Sequence, residues 1–340
     1  MVCASADAAN VKLTVGGYAN WYTGYVGGNN AMKEAATYEG VRSFEHVPVV
    51  GDVEIDFTGE TVLQNGIKIG AVIELSGVSP DSEFAKEDQS YVYVDGAIGR
   101  FAIGKMDTIS KQFHKASKDV GLLGIQGSDI GMLRPCFGQM MENISTDIRY
   151  MDDYATLAYI SPKFYGVTLA ASYSTLDNDA THNISGNDVS YAATVAYNNT
   201  FGKVTVDADV SYARFDKLYY YVETAEYAIA TGVRVGVAGF TVGGGYKFQN
   251  NKYYTGDTDI FDAGVAYENG PYGVSLSYIY QKRDYDYPEN RKDQMVLASF
   301  AYNVTEGGDT FVSLAYVNAK GYWYDNMDAY ILAGGIGLTF

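Results

Sequence analysis

The stretch "DVEIDF" sets Asp52, Glu54 and Asp56 at every second position, with Val53, Ile55 and Phe57 between them. In an extended chain alternate side chains share a face, so three carboxylates line one side and three apolar groups the other. Carboxylates spaced in this way attract cations and charge a wet surface. Acid–base catalysis would need a partner close by, and none is evident. The histidines, His46, His114 and His182, fall in or beside segments read as connections, far apart in sequence. No Gly-x-Ser-x-Gly elbow and no Cys/His metal spacing occurs, and Cys3 and Cys136 alone make no disulfide framework. The residue pattern therefore points away from an enzyme.

Further carboxylates crowd into polar links: "SPDSEFAKED" (79–88), "LDNDATHNISGND" (176–188), "GDTDIFD" (256–262) and "RDYDYPENRKD" (283–293). Calcium takes six to eight oxygen ligands from such groups, although no EF-hand pattern is present. Asp81, Glu83, Asp257 and Asp259 are the candidates for a calcium site bracing these links, against the alternative of solvated loops. No other cofactor is expected. The formal net charge of −17 disfavours nucleic acid and favours cations.

The elements that must hold these residues are strands. "YAATVAYNNTFGKVTVDADVSY" (191–212) alternates an apolar phase, tyrosine at three of its four ends, with a small or polar phase carrying Asp207 and Asp209. The same module recurs as "TLAYISPKFYGVTLAASY" (156–173) and "VAYENGPYGVSLSYIY" (265–280), with looser copies at 234–248 and 299–317 and earlier hairpins at 52–75 and 90–105. Short turns alternate with longer links, 26–43, 76–88, 175–188, 215–225, 249–258, 282–293 and 318–328, and one link, 105–153, is far longer. The count comes to about sixteen strands, all-β, in a single domain over 11–340. The opening "MVCASADAAN" (1–10) reads as the end of an export signal, with Ala4-Ser5-Ala6 as its small-residue cleavage site.

A soluble β-sandwich also alternates, but it does not sort its connections into short and long sets. A closed antiparallel barrel in a bilayer does, because every backbone group must pair in lipid. Tyr159, Tyr197, Tyr267 and Tyr302 precede short turns, whereas Tyr173, Tyr212, Tyr280 and Tyr316 lie by long links. These two sets are expected to form the aromatic girdles. The opposite phase should face water and carries Asp52, Glu54, Asp56, Lys68, Glu74, Arg100, Asp207, Asp209, Arg234 and Lys247.

The terminal "AYILAGGIGLTF" alternates down to Phe340, "GRFAIGKMDT" (99–108) leads into the longest link, and "ATLAYISPKFYGVTLAASYS" (155–174) follows it. On these segments the chain resembles the Gram-negative general porins, in particular the alphaproteobacterial type, over residues 11–340. The resemblance implies a sixteen-stranded, homotrimeric, outer-membrane channel. Phe340 would be the assembly signal, residues 76–88 a latch onto a neighbouring subunit, and 105–153 a loop folded into the lumen to form a constriction. That loop carries Asp107, Asp119, Asp129, Glu142 and Asp147 against Lys111, Lys115, Lys118 and Arg134. Facing it would stand Asp52, Glu54, Asp56, Lys68, Glu74 and Arg100. The early strands are poorer in arginine than the family pattern. The implied function is passive diffusion of small hydrophilic solutes and ions; the loop charges nearly cancel and the wall leans acidic, which predicts mild cation selectivity. The alternatives are a sugar- or peptide-specific channel, which would need lumen aromatics such as Tyr18 and Tyr22, and a surface adhesion barrel.

Overall fold

The computed structural model describes residues 11–38, 47, 49–77, 86–124, 126, 144–149, 152, 154–175, 189–216, 225–251, 256–284, 290–321 and 324–340. The strands are β1 (Lys12–Gly28), β2 (Val49–Val62), β3 (Lys68–Gly77), β4 (Lys86–Gly96), β5 (Gly99–Met106), β6 (Tyr154–Ile160), β7 (Val167–Thr175) and β8 (Val189–Phe201), followed by β9 (Val204–Asp216), β10 (Ala225–Val237), β11 (Phe240–Asn251), β12 (Thr258–Asn269), β13 (Tyr272–Arg283), β14 (Arg291–Thr305), β15 (Gly308–Gly321) and β16 (Tyr324–Thr339). Each pairs antiparallel with its sequence neighbour, and β1 also pairs with β16, so the sheet closes into a sixteen-stranded barrel. The seam ends on two backbone bonds between Gly17 and Phe340, at 3.0 and 3.1 Å. Closure leaves no unpaired sheet edge, as a lipid setting requires.

Alternation decides the two faces. Val92, Phe101, Leu169, Val195, Val210, Val265, Leu276, Val312 and Leu332 stand exposed on the outside. On a water-facing surface this belt would be a liability, and against lipid it is the expected solvent contact. Tyrosines bound the belt at both ends as cross-strand ring pairs. Tyr267 with Phe240 (4.4 Å between centroids) and Tyr302 with Tyr272 (5.2 Å) lie at the short-turn end. Tyr173 with Tyr191 (5.3 Å) and Tyr316 with Tyr330 (5.4 Å) lie at the other. The inner face is polar over much of the wall, where hydroxyls pair across strands: Thr156 with Ser174 (2.8 Å), Thr194 with Ser211 (2.8 Å) and Ser299 with Ser313 (2.9 Å).

Three features differ from the expectations or add to them. First, the inner phase is not polar throughout. On β14–β16 it presents Met295, Leu297, Val317, Ala329 and Ile331, buried together with Tyr22 and Val26 of β1. Around these residues the strands are apolar on both faces because loop segments cover them from inside: Met32, Leu123 and Ile144 complete the same cluster. Second, the link after β1 holds a helix, α1 (Asn30–Tyr38). Asn29 caps it by accepting the Met32 N–H at 3.0 Å, and its amide donates to Asp328 at 3.2 Å, which ties the helix to β16. Third, the polar run 318–328 is not a long link. Asn318 pairs with Asp328 and Gly321 with Tyr324, so β15 and β16 meet in a tight hairpin. The polar side chains that suggested a loop bond across the strands instead, Asn318 Nδ2 donating to Asp328 Oδ1 at 2.9 Å.

Candidate functional site

The carboxylates of "DVEIDF" lie on the lumen side of β2. Register sets Asp56 beside Glu74 of β3 and Glu54 beside Ser76. Carboxylate oxygens of Glu54, Asp56 and Glu74 come within 4.8 Å of one another, the one such carboxylate group among the described residues. Tyr18 of β1 stands opposite Glu54 and hydrogen-bonds Asp52. On the other flank, Tyr91 and Tyr93 of β4 also face inward; Val92 and Val94 between them are exposed outside. Lys68 and Arg100 belong to the same wall but lie toward the short turns. Lys68 pairs with Glu60 at 3.1 Å. Arg100 pairs with Asp95 at 2.9 Å and stacks on Tyr93, 4.3 Å from its ring centre. Six residues separate Lys68 from Glu74 along β3, roughly 20 Å at 3.3–3.4 Å per residue.

The long link after β5 begins with a short helix, α2 (Ile109–Phe113), capped by the Thr108 hydroxyl accepting from Lys111 N at 3.3 Å. From His114 onward the backbone runs along the inner wall. Asp209 of β9 takes the Lys115 N–H at 2.8 Å, Asp262 of β12 the Ser117 N–H at 2.5 Å, and Ser275 of β13 the Val120 N–H at 3.1 Å. Arg234 of β10 donates to the carbonyls of Ala116 (2.5 Å) and Ser117 (3.4 Å). All these wall groups belong to the inward phase, which places the described loop residues inside the barrel. His114 is buried between them, with Nδ1 3.1 Å from Asp209 Oδ2 and Nε2 2.9 Å from Thr146 Oγ1, which in turn donates to Asp262 at 2.6 Å.

The returning arm is bound by charge. Arg149 grips Asp147 with two bonds of 2.9 Å. Burial opposes ionisation of Asp147, but the Arg149 guanidinium outweighs it and holds the carboxyl well below its ordinary value. Lys111 sits between Asp107 (2.6 Å) and Asp152 (3.3 Å). Burial disfavours its charge, yet the two carboxylates together push its pKa up. Asp152 is raised to about 7, chiefly by burial, with Lys111 opposing and Asp107 reinforcing.

A family model for Gram-negative porins matches residues 1–322. This chain belongs to the Gram-negative porin family. It is accordingly an outer-membrane protein that crosses with strands, in a family of channels rather than enzymes. Among solved structures, an in-vitro folded OmpT of Vibrio cholerae in its trimer form aligns at 13% identity over 96% of this chain and 99% of that one, with a TM-score of 0.66. An anion-selective porin from Comamonas acidovorans aligns at 14% identity over 97% of this chain and all of that one (100%), TM-score 0.65. A mutant of the Rh. blastica porin aligns at 14% identity over 97% and 100% of the two chains, TM-score 0.60. At such identities the likeness concerns the fold alone. No individually curated protein matches in sequence.

The residues expected at the constriction of this porin divide into three sets. Asp52, Glu54, Asp56 and Glu74 form one wall group, whereas Lys68 and Arg100 lie apart in ion pairs. Of the loop residues, Asp107 and Lys111 close the loop's base, Lys118 pairs with Glu268, and Asp119 accepts from Ser275 at 2.5 Å. Lys115 is partly exposed beside them. Asp129, Arg134 and Glu142 lie outside the described residues, as do residues 1–10, Asp81, Glu83 and most of the 76–88 latch. Asp257 accepts from Asn250 at 2.9 Å and Asp259 from Tyr246 at 2.5 Å, so they serve different partners. Sequence reading missed the wall's grip on the loop. Asp209, Asp262, Ser275 and Lys247 look like ordinary lumen residues along the chain, and nothing local signals that the loop's backbone is their partner.

Proposed function

We propose that this porin forms a homotrimeric, water-filled channel for passive diffusion of small hydrophilic solutes and ions, and that it favours cations. The carrying observation is the Glu54–Asp56–Glu74 group on the wall of β2 and β3. The bases of the same wall are neutralised locally, Lys68 by Glu60 and Arg100 by Asp95. Charged side chains lining a pore set ion preference through their potential. The Comamonas relative is named anion-selective, so the barrel itself does not dictate the sign; the wall charges do. The trimeric form of the Vibrio relative supports the oligomer. Of the two tyrosines that a sugar-stacking channel would use, Tyr22 is buried in the apolar cluster, edge-on to Phe311 at 6.2 Å, and Tyr18 is engaged by Asp52.

Planar-bilayer recording tests this reading. Across a tenfold KCl gradient the reversal potential should have the sign of a cation-preferring pore, and the triple variant Glu54→Gln, Asp56→Asn, Glu74→Gln should move it toward zero. A parent that prefers chloride, or a conducting triple variant with unchanged selectivity, overturns the cation assignment. A parent that folds and inserts but passes no current overturns the channel.

A further inference from the structure

Where residues 114–120 cross the wall, the wall repeatedly lacks a side chain. A β-carbon built on Gly232 of β10 would collide with the Lys115 carbonyl oxygen and lie 2.8 Å from the Lys115 carbonyl carbon. On Gly245 of β11 it would lie 2.6 Å from Thr146 Oγ1 and 2.9 Å from His114 Nε2. On Gly264 of β12 it would lie 2.7 Å from Ser277 Oγ of the neighbouring strand and 2.9 Å from Ser117 Cβ of the loop, and on Gly273 of β13 it would lie 3.2 Å from Val120 Cβ. Separations below 3.0 Å force something to move, and at Gly232 what must move is loop backbone. Four neighbouring strands thus each lack a side chain where the loop lies against them.

We propose that Gly232, Gly245, Gly264 and Gly273 are positioning residues that together cut a diagonal seat in the lumen wall, and that this seat sets the open cross-section of the pore. The proposal rests on the channel reading given above. Glycine weakens a strand interior and often marks a bulge, a bend or a place where another group approaches closely. Here the loop brings its backbone against Gly232, and the side chains of Thr146 and His114 against Gly245, of Ser117 against Gly264 and of Val120 against Gly273. The bonds from Asp209, Asp262, Ser275 and Arg234 draw the loop inward to the wall, and the glycines let it reach them. A side chain in the seat would hold the loop off the wall by its own width, into the water-filled space.

The test uses the full-length protein in detergent and in planar bilayers, with Gly59→Ala as control, since a β-carbon there meets only Val11 at 3.7 Å. Gly273→Val suits a strand residue, and the three atoms nearest its β-carbon all belong to Val120. It should lower the single-channel conductance, and adding Val120→Gly should restore it. Gly232→Ala should lower the conductance and expose the Lys115 and Lys118 peptide bonds to trypsin in the folded protein, where the parent resists. Should Gly232→Ala not fold, Gly273→Val and its rescue decide the question. Unchanged conductance and unchanged trypsin resistance in Gly273→Val overturn the seat, as does a loss that Val120→Gly does not restore. A non-conducting parent overturns the channel reading alone, because the trypsin comparison still reports on the seat.

Discussion

Lys247 of β11, 4% exposed, donates its Nζ to the backbone carbonyl of Asp147 at 2.7 Å. A strand ammonium therefore holds the returning arm of the loop, close to where Arg149 neutralises the Asp147 carboxylate. Replacing Lys247 with Met would leave that carbonyl without its donor, a loss of about 1–3 kcal/mol for a buried acceptor. Part of this is offset because no ammonium need then be taken out of water. The expected outcome is a melting temperature a few degrees lower in detergent, with the barrel's strand signature in circular dichroism intact. An unchanged melting temperature would show that the arm is held without Lys247.

Asp152 gives the loop base a pH dependence of definite sign. Its pKa of about 7 lies above its ordinary value of 3.8, chiefly through burial, so the folded protein binds this proton more tightly than the unfolded chain does. Between about pH 4 and 7 the folded group is protonated and the unfolded one ionised. Stability should therefore rise as pH falls through 7 and level off near 4. Asp147 behaves oppositely, but its carboxyl is held so low that its loss falls in stronger acid, outside this window. Asp152→Asn keeps an acceptor for the Thr108 N–H, now 3.0 Å from Oδ1, and should flatten the slope. Thermal unfolding of parent and variant from pH 4 to 8 checks this. A parent melting temperature that climbs steadily with pH over that range would refute it.

The barrel could be read from the chain because its signal is local and repeated. Alternation, glycine turns and terminal tyrosines recur through the hairpins, and ring pairs such as Tyr173 with Tyr191 then follow from register. The carboxylate group was legible too, since Asp52, Glu54 and Asp56 share a phase on one strand. The apolar stretch of the inner wall was not. Met295, Leu297, Val317 and Ile331 alternate with the outward apolar phase, and only contact with Met32, Leu123 and Ile144, distant in sequence, shows why an inner face should be apolar. The hairpin at 321–324 was misread because Asn318 and Asp328 are polar. Polarity marks a loop only when the groups bond to water, and these bond to each other.

The separation of Lys68 from Glu74 yields the sharpest electrostatic prediction. Both face the lumen on β3, but they stand roughly 20 Å apart along the strand. Charges are screened over ~10 Å in 0.1 M salt. Glu74 belongs to the Glu54–Asp56 group, so the Glu74→Gln change weakens a potential to which three carboxylates contribute. Lys68 is already matched by Glu60 at 3.1 Å. Lys68→Gln releases one carboxylate near the short-turn mouth, about two screening lengths from that group. In a 0.1 M to 0.01 M KCl gradient, Glu74→Gln should shift the reversal potential toward zero, whereas Lys68→Gln should shift it by a smaller amount and in the cation-favouring direction. In 1 M salt, where screening acts over about 3 Å, the two variants and the parent should converge. A Lys68→Gln shift as large as that of Glu74→Gln would place the selectivity zone at the short-turn mouth instead of at the carboxylate group.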